Sequence, residues 1–369
     1  MNSAKATLHI NPKVLLAIYL VMPLSLLFVA IDSIFLNSSI KQNLPLDPRV
    51  YVWFVLIFMV PHIVASFFSF ADKEYFKHYA NKLLRGAQIA AVLGLFIPAF
   101  TGATIIPIII FATYTMIHVF MQQSGISKSL MRNAIPSHKY WQLIGISLAI
   151  AIYTYLLVPV EGFQETVTSS ELIVVGVIIS VLLYSMLAIP IVRSSRTKLG
   201  KVYFLSSHFI PLMGVFYITT GYPILALIVP RVIHDLTAFT FYITHDSNRY
   251  KEAPTNYIYR LTSRLKVPIF IANPAISILA AYMIVQFNSA TVTVILTCVF
   301  FLHYYTESFM WKKMDKLIAI SDAFKDYIVS KGVDKKKVFV VEESINIASK
   351  TFAKKTSGKD TTFMFHGSM

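Results

Sequence analysis

His303 and Glu307 stand four residues apart in the stretch FLHYYTESFMWKK, residues 301–313, at the close of a long apolar run. That spacing puts an imidazole and a carboxylate on one face of a helix. Ionisable groups are costly inside a membrane and face a bundle interior or cavity when they occur. Imidazole and carboxylate presented together are donors for a transition metal.

Five further histidines lie in apolar runs: His62, His118, His208, His234 and His245. His118 and Gln122 repeat the four-residue spacing, with Gln123 beside them. His234 and His245 are eleven residues apart, close to three helical turns, so they share a face. With the N-terminus in the cytoplasm, all six histidines fall within roughly 17 Å of the cytoplasmic face, counted at 1.5 Å per residue. Packing histidines have no reason to share a leaflet, so the pattern reads as one site. The expected ligands are His62, His118, His234, His245, His303 and Glu307, with His208 as a further candidate. A ligating imidazole commonly gives its second N–H to a carboxylate or carbonyl. Asp235, Asp246, Asp72 and Gln122 are candidates for that supporting role. Imidazole and carboxylate without thiolate suit iron, manganese, zinc or copper. Bundle di-iron sites use Glu-x-x-His on facing helices, whereas here the order is His-x-x-x-Glu, so the likeness is of ligand type. His9, His78, His138 and His366 lie in polar segments and read as solvated.

The elements that must position these groups are transmembrane helices. Of 369 residues, 56% are hydrophobic and 14% charged, against about half and a quarter in soluble domains. Ten apolar spans are expected, at about 14–36, 50–71, 84–100, 103–122, 140–160, 171–193, 202–220, 223–245, 267–286 and 289–311, each near the ~20 residues that cross a bilayer. The first is too long for a cleaved signal peptide and lacks a small-x-small site after it. Basic residues gather in alternate loops, around 73–85, 128–139, 193–201 and 249–266, while the intervening loops hold Lys41 and Arg49 and the acidic pair Glu161 and Glu165. This alternation favours an even number of spans with both termini cytoplasmic. The net charge of +15 then reflects cytoplasmic loops, and no nucleic-acid partner is expected. The single cysteine, Cys298, excludes an internal disulfide and argues against thiolate metal chemistry. Trp311, Lys312 and Lys313 read as an interfacial anchor.

The fold expected is thus an all-α integral membrane protein of about ten transmembrane helices, residues 1–311, in the plasma (inner) membrane. Residues 312–369 are polar and Lys-rich and read as a short α/β-like cytoplasmic tail. Two resemblances add to this. Asp315-Lys316-Leu317-Ile318-Ala319-Ile320-Ser321, Lys331-Gly332-Val333 and Lys337-Val338-Phe339-Val340-Val341 resemble the segment that joins the two Rossmann-like domains of retaining GT-B glycosyltransferases. Phe363 to Ser368 would match the first strand of the second domain. The resemblance covers about 50 residues and stops before the sugar-nucleotide region. It implies a truncated or fused transferase fragment. Pro61-His62, Ile117-His118, Ile233-His234 and His303 are similar to the histidine-bearing helices of bacterial β-carotene-cleaving dioxygenases, which surround one iron. Ile63 and Leu302 stand where that family has Gly and Pro. The His-x-x-His-His boxes of fatty-acid desaturases and alkane hydroxylases are absent.

The function expected from these residues is that of a metal-dependent membrane oxygenase, hydroxylase or desaturase. Non-haem iron is the favoured metal, with haem or another transition metal as alternatives. A lipid-soluble substrate would enter from the membrane lipids, and electrons from a cytoplasmic donor. Three other classes use the same residues differently. A membrane cytochrome would pair its histidines on haem. A proton-coupled transporter would use His, Asp and Glu as a relay, with Pro107, Pro211 and Pro274 breaking helices. A membrane glycosyltransferase or polysaccharide-assembly protein would follow from the tail.

Overall fold

The computed structural model describes residues 10–44, 52–96, 105–132, 135–157, 166–167, 170–250, 255–286 and 296–309. The chain divides into units Met1–Lys312 and Lys313–Met369. The whole tail lies outside the described residues, as do His9, Glu161, Glu165, Trp311 and His366.

The described residues are helical almost throughout and contain no strand beyond an isolated bridge between Asp72 and Asn256. In chain order the helices are α1 (Pro12–Ile18), α2 (Val21–Phe35), α3 (Ser39–Asn43), α4 (Val60–Phe68), α5 (Lys73–Ala91), α6 (Ile105–Met131), α7 (Ser137–Leu157), α8 (Glu171–Ser194), α9 (Lys198–Thr220), α10 (Pro223–Arg249), α11 (Tyr257–Arg264), α12 (Ile269–Gln286) and α13 (296–309). Four stretches among them are long and apolar enough to cross a membrane: Pro12–Phe35, Glu171–Ser194, Lys198–Thr220 and Pro223–Arg249. Counting the pair α11 and α12, bent by 112°, as one span gives a fifth. Over their described parts the ten expected segments are largely helical, with a turn at Tyr19–Leu20 and non-helical residues at 267–268; among the described residues, four or five stretches are long and apolar enough to cross a membrane.

Burial separates the roles of these helices. In α8, 11% of the apolar window is buried, and Leu172, Ile178, Leu182 and Met186 face outward. In α10 the share is 78%. The outward-facing helix is apolar between Glu171 and Arg193 at its ends, while the central helix carries Arg231, His234 and Asp235. Polar groups that would be costly against lipid are thereby kept inside protein.

Local chemistry explains the joints. α9 ends at Gly221, whose φ of +84° is the left-handed conformation that lacks a Cβ penalty, and Pro223 opens α10 one residue after Tyr222. Asp72 caps α5, accepting from the N–H groups of Glu74 and Tyr75 at 2.9 and 3.2 Å. Residues Val55–Met59 form a π-helical turn in which the N–H of Val60 bonds to Val55 O. The wide turn directly precedes Pro61, which has no N–H to continue the ladder. At the foot of α6, Thr197 Oγ1 donates to Leu130 O at 2.6 Å and the Arg196 N–H to Met131 O at 3.1 Å. Gly200 lies against this joint, and an added Cβ would meet the Met131 backbone at 2.6 Å. The clash is with main chain, so no rotamer relieves it. Gly200→Ala is expected to destabilise the protein by about 1–3 kcal/mol, read as a lower Tm in detergent.

Candidate metal centre

Four helices bring polar side chains to one buried level. α4 supplies His62 and Ser66, α6 supplies His118, Gln122 and Gln123, α10 supplies Arg231, His234 and Asp235, and α13 supplies His303 and Glu307. His62, Ser66, His234, Asp235, His303 and Glu307 are fully buried. Each of the four helices carries an i,i+4 pair, so each offers two groups from one face. The imidazole rings of His62, His118, His234 and His303 pack edge to face, with neighbouring centroids 4.5–5.5 Å apart.

The partners of the outer ring nitrogens determine the tautomers. Ser66 Oγ donates to Ile63 O at 2.6 Å, so toward His303 Nδ1, at 2.9 Å, it acts as acceptor. Gln122 Oε1 is 2.8 Å from His234 Nδ1 and already accepts from Gln123 Nε2 at 3.0 Å. His62 Nδ1 faces Asp235 Oδ1 at 3.2 Å and Met59 O at 3.4 Å. Each of these partners is an acceptor, so each Nδ1 carries the proton. The Nε2 atoms of His62, His234 and His303 are then left as lone pairs.

Those lone pairs converge. His62 and His234 Nε2 are 3.3 Å apart. His303 Nε2 is 3.8 Å from Glu307 Oε1, and His118 Nε2 is 2.5 Å from Glu307 Oε2. Neither His118 Nε2 nor His303 Nε2 makes a hydrogen bond: the contact with Glu307 is close but out of hydrogen-bonding alignment. Ligand atoms of His62, His234, His303 and Glu307 all lie within 4.8 Å of one another. Two nitrogens of a tetrahedral site with bonds of ~2.05 Å lie about 3.3 Å apart, and the widest span across an ion is about 4.2 Å. The set is therefore near ligating size and closes with shifts of a few tenths of an ångström. Without a cation, three lone pairs and a carboxylate would face one another in an apolar interior. A buried group of three imidazoles and one carboxylate could hold a metal ion.

Around the cluster the support is ionic and hydrogen-bonded. Arg231 Nη2 is 3.4 Å from Asp235 Oδ1, joining the carboxylate behind His62 to a buried guanidinium. Gln123 Oε1 accepts from the hydroxyls of Tyr19 and Tyr203, each at 2.7 Å, which holds the amide behind Gln122 and His234.

No known protein family, curated protein or solved structure matches the chain.

Several expected site residues lie elsewhere. His245 is on the same face of α10 as His234, but eleven residues put it about 16 Å further along the axis. There its Nδ1 is 3.0 Å from Asp246 Oδ1 and its Nε2 3.0 Å from the Tyr75 hydroxyl. Asp246 also receives the Tyr259 hydroxyl, so it supports His245 as expected but in a separate polar cluster. Asp72 is occupied as the cap of α5 and by Thr255 and Arg249. His208 stacks on Tyr184 with centroids 4.4 Å apart, and its Nδ1 accepts from Trp141 Nε1 at 3.1 Å. It belongs to an aromatic cluster of α7, α8 and α9. Accordingly, His245→Ala and His208→Ala are each expected to keep the metal content of the parent protein, measured by elemental analysis of the purified variants.

Arg231 and Ser66 are absent from the residues expected by sequence, although both carry a signal. Arg231 is a charge in the middle of an apolar span, four residues before Asp235. Ser66 follows His62 by four.

Proposed function

We propose that the protein is a non-haem iron oxygenase or hydroxylase of the inner membrane, acting on a lipid-soluble substrate. Its membrane domain, residues 1–311, would cross the bilayer ten times with both termini in the cytoplasm, and residues 312–369 would form the cytoplasmic tail. The observation that carries the reading is the convergence of three Nε2 lone pairs on Glu307, with each Nδ1 held by its own acceptor. His62, His234, His303 and Glu307 would hold the metal, with His118 beside them against Glu307. Iron held by imidazole and carboxylate would supply the activation of dioxygen.

The chain's own residues do the rest. Ser66, Gln122 and the Met59 carbonyl fix the ring orientations and keep the protons on Nδ1, with the Asp235 carboxylate close to His62 Nδ1. Arg231 balances the Asp235 charge. Burial by four helices excludes bulk water, and the lipid-soluble substrate would approach from the membrane. The edge-to-face packing of the four imidazoles supports a single ion over haem, because it leaves no slot for a porphyrin between the rings.

The reading is tested with 18O2. Membranes carrying the wild-type chain are expected to incorporate label into the lipid-soluble fraction, and membranes carrying Glu307→Ala are not. Equal label in both would contradict it.

A further inference from the structure

α11 is tied to the bundle along one side. Its Tyr259 hydroxyl donates to Asp246 on α10 and accepts from Asn273 Nδ2 on α12 at 2.8 Å. Asn256 caps the helix through Oδ1 and donates from Nδ2 to Phe68 O at 2.6 Å. Tyr259 and Thr262 are buried. The other side is open: Tyr257 is 60% exposed, Leu261 62%, and Leu265, the residue that ends the helix, 69%.

At 3.6 residues per turn, Tyr257, Leu261 and Leu265 follow one another in steps of about 40° round the axis. They form one apolar stripe. Arg264 and Arg260, both exposed, border it on the edge away from Thr262. The Arg260 guanidinium lies over the Tyr257 ring, 5.5 Å from its centroid. Lys266, also exposed, follows at the end of the helix. Residues 255–286 hold no acidic side chain. An apolar face flanked by basic residues is the pattern of a helix that lies in the plane of a membrane interface.

The joint with α12 gives α11 the matching direction. The Val267 N–H bonds back to Thr262 O at 3.0 Å, with Lys266 in the left-handed conformation at φ +57°. Pro268 then precedes α12. α12 has no charged residue and exposes Phe270, Leu279 and Met283. The two helices meet at a bend of 112°. A helix set near a right angle to one that runs through lipid lies along the lipid surface.

We propose that the outer face of α11 docks on the membrane surface and binds anionic phospholipid. Tyr257, Leu261 and Leu265 sit among the upper acyl chains, and Arg260, Arg264 and Lys266 reach the lipid phosphates. Their long apolar stems let the charges rise from the stripe to headgroup level. The inference rests on the membrane reading above and is independent of what the metal centre holds.

The test places a fluorophore on the full-length protein in lipid nanodiscs, which leave both faces open to water. Cys298→Ser confines the label to one introduced cysteine: Leu261→Cys, Leu265→Cys or, as the water-side control, Ser263→Cys. The discs are phosphatidylcholine with the same small fraction of nitroxide-labelled phosphatidylglycerol or nitroxide-labelled phosphatidylcholine. Labels at 261 and 265 are expected to be quenched by both nitroxide lipids, several-fold more by phosphatidylglycerol, and to be shielded from aqueous iodide. The label at 263 is expected to be open to iodide. Combining Leu261→Cys with Arg260→Gln, Arg264→Gln and Lys266→Gln should make the two lipids quench alike. Labels at 261 and 265 that iodide reaches as readily as the one at 263 would overturn the docking and make the stripe a face for a soluble protein. Equal quenching by the two lipids in the chain with its basic residues intact would overturn the anionic-lipid site. Protein that stays in water and does not enter the discs would remove the membrane reading and the docking with it.

Discussion

Replacing His303 by alanine is expected to empty the metal centre. Its Nε2 faces Glu307 and its Nδ1 is fixed by Ser66, so the substitution removes a ligand whose orientation the protein has set. Glu307→Ala should have the same effect, because it removes the carboxylate and leaves His118 Nε2 and His303 Nε2 facing empty space. Ser66→Ala is the informative intermediate. It leaves every ligand in place and removes the acceptor that holds the His303 ring, and supporting partners of this kind are worth about 10–100-fold in metal affinity. Competition with a chelator measures the series. The expected order is wild type tightest, Ser66→Ala weaker, and both alanine ligand variants without bound metal. Full occupancy in either ligand variant would show that the residue replaced is not a ligand.

Arg231→Met is expected to destabilise the fold by about 3–5 kcal/mol, because it leaves the Asp235 carboxylate in the interior without its counter-charge. Arg231 is 5% exposed and Asp235 not at all, so water cannot stand in for the lost partner. The sign of the second substitution separates stability from function. Arg231→Met combined with Asp235→Leu removes both charges and should recover most of the lost stability, since apolar replacements of buried ion pairs are often neutral or stabilising. The same double variant lacks the carboxylate that faces His62 Nδ1 and should bind metal more weakly than wild type. Thermal unfolding in detergent and chelator competition, run on the single and double variants, distinguish the two effects.

What could be read without coordinates was set by periodicity. The spacings His303–Glu307 and His118–Gln122 are one helical turn, and in each case the two groups do face the same interior. The helical character of the apolar segments followed from their length and composition. Periodicity fixes a face and is silent about depth, which is why His245 shares a face with His234 yet sits three turns away beside Tyr75 and Asp246. His208 could not be separated from the ligands by pattern at all. Its capture depends on Trp141, 67 residues earlier in the chain, and on Tyr184, and such a contact exists only once α7, α8 and α9 are packed. Asp72 carries a local signal of its own: an aspartate directly before the Lys73–Glu74 start of a helix is a capping residue. The convergence of Nε2 atoms was beyond sequence altogether, because it depends on which nitrogen of each ring finds an acceptor.

The central claim is that this buried cluster holds iron, and elemental analysis of the detergent-purified protein tests it most directly, with the visible spectrum taken on the same sample. Stoichiometric iron without a Soret band, absent from His303→Ala and Glu307→Ala preparations, is the result expected. A Soret band would contradict the non-haem site. Protein purified without chelators and free of any metal would contradict the metal centre itself, and would leave the four histidines, Asp235 and Glu307 as a proton relay.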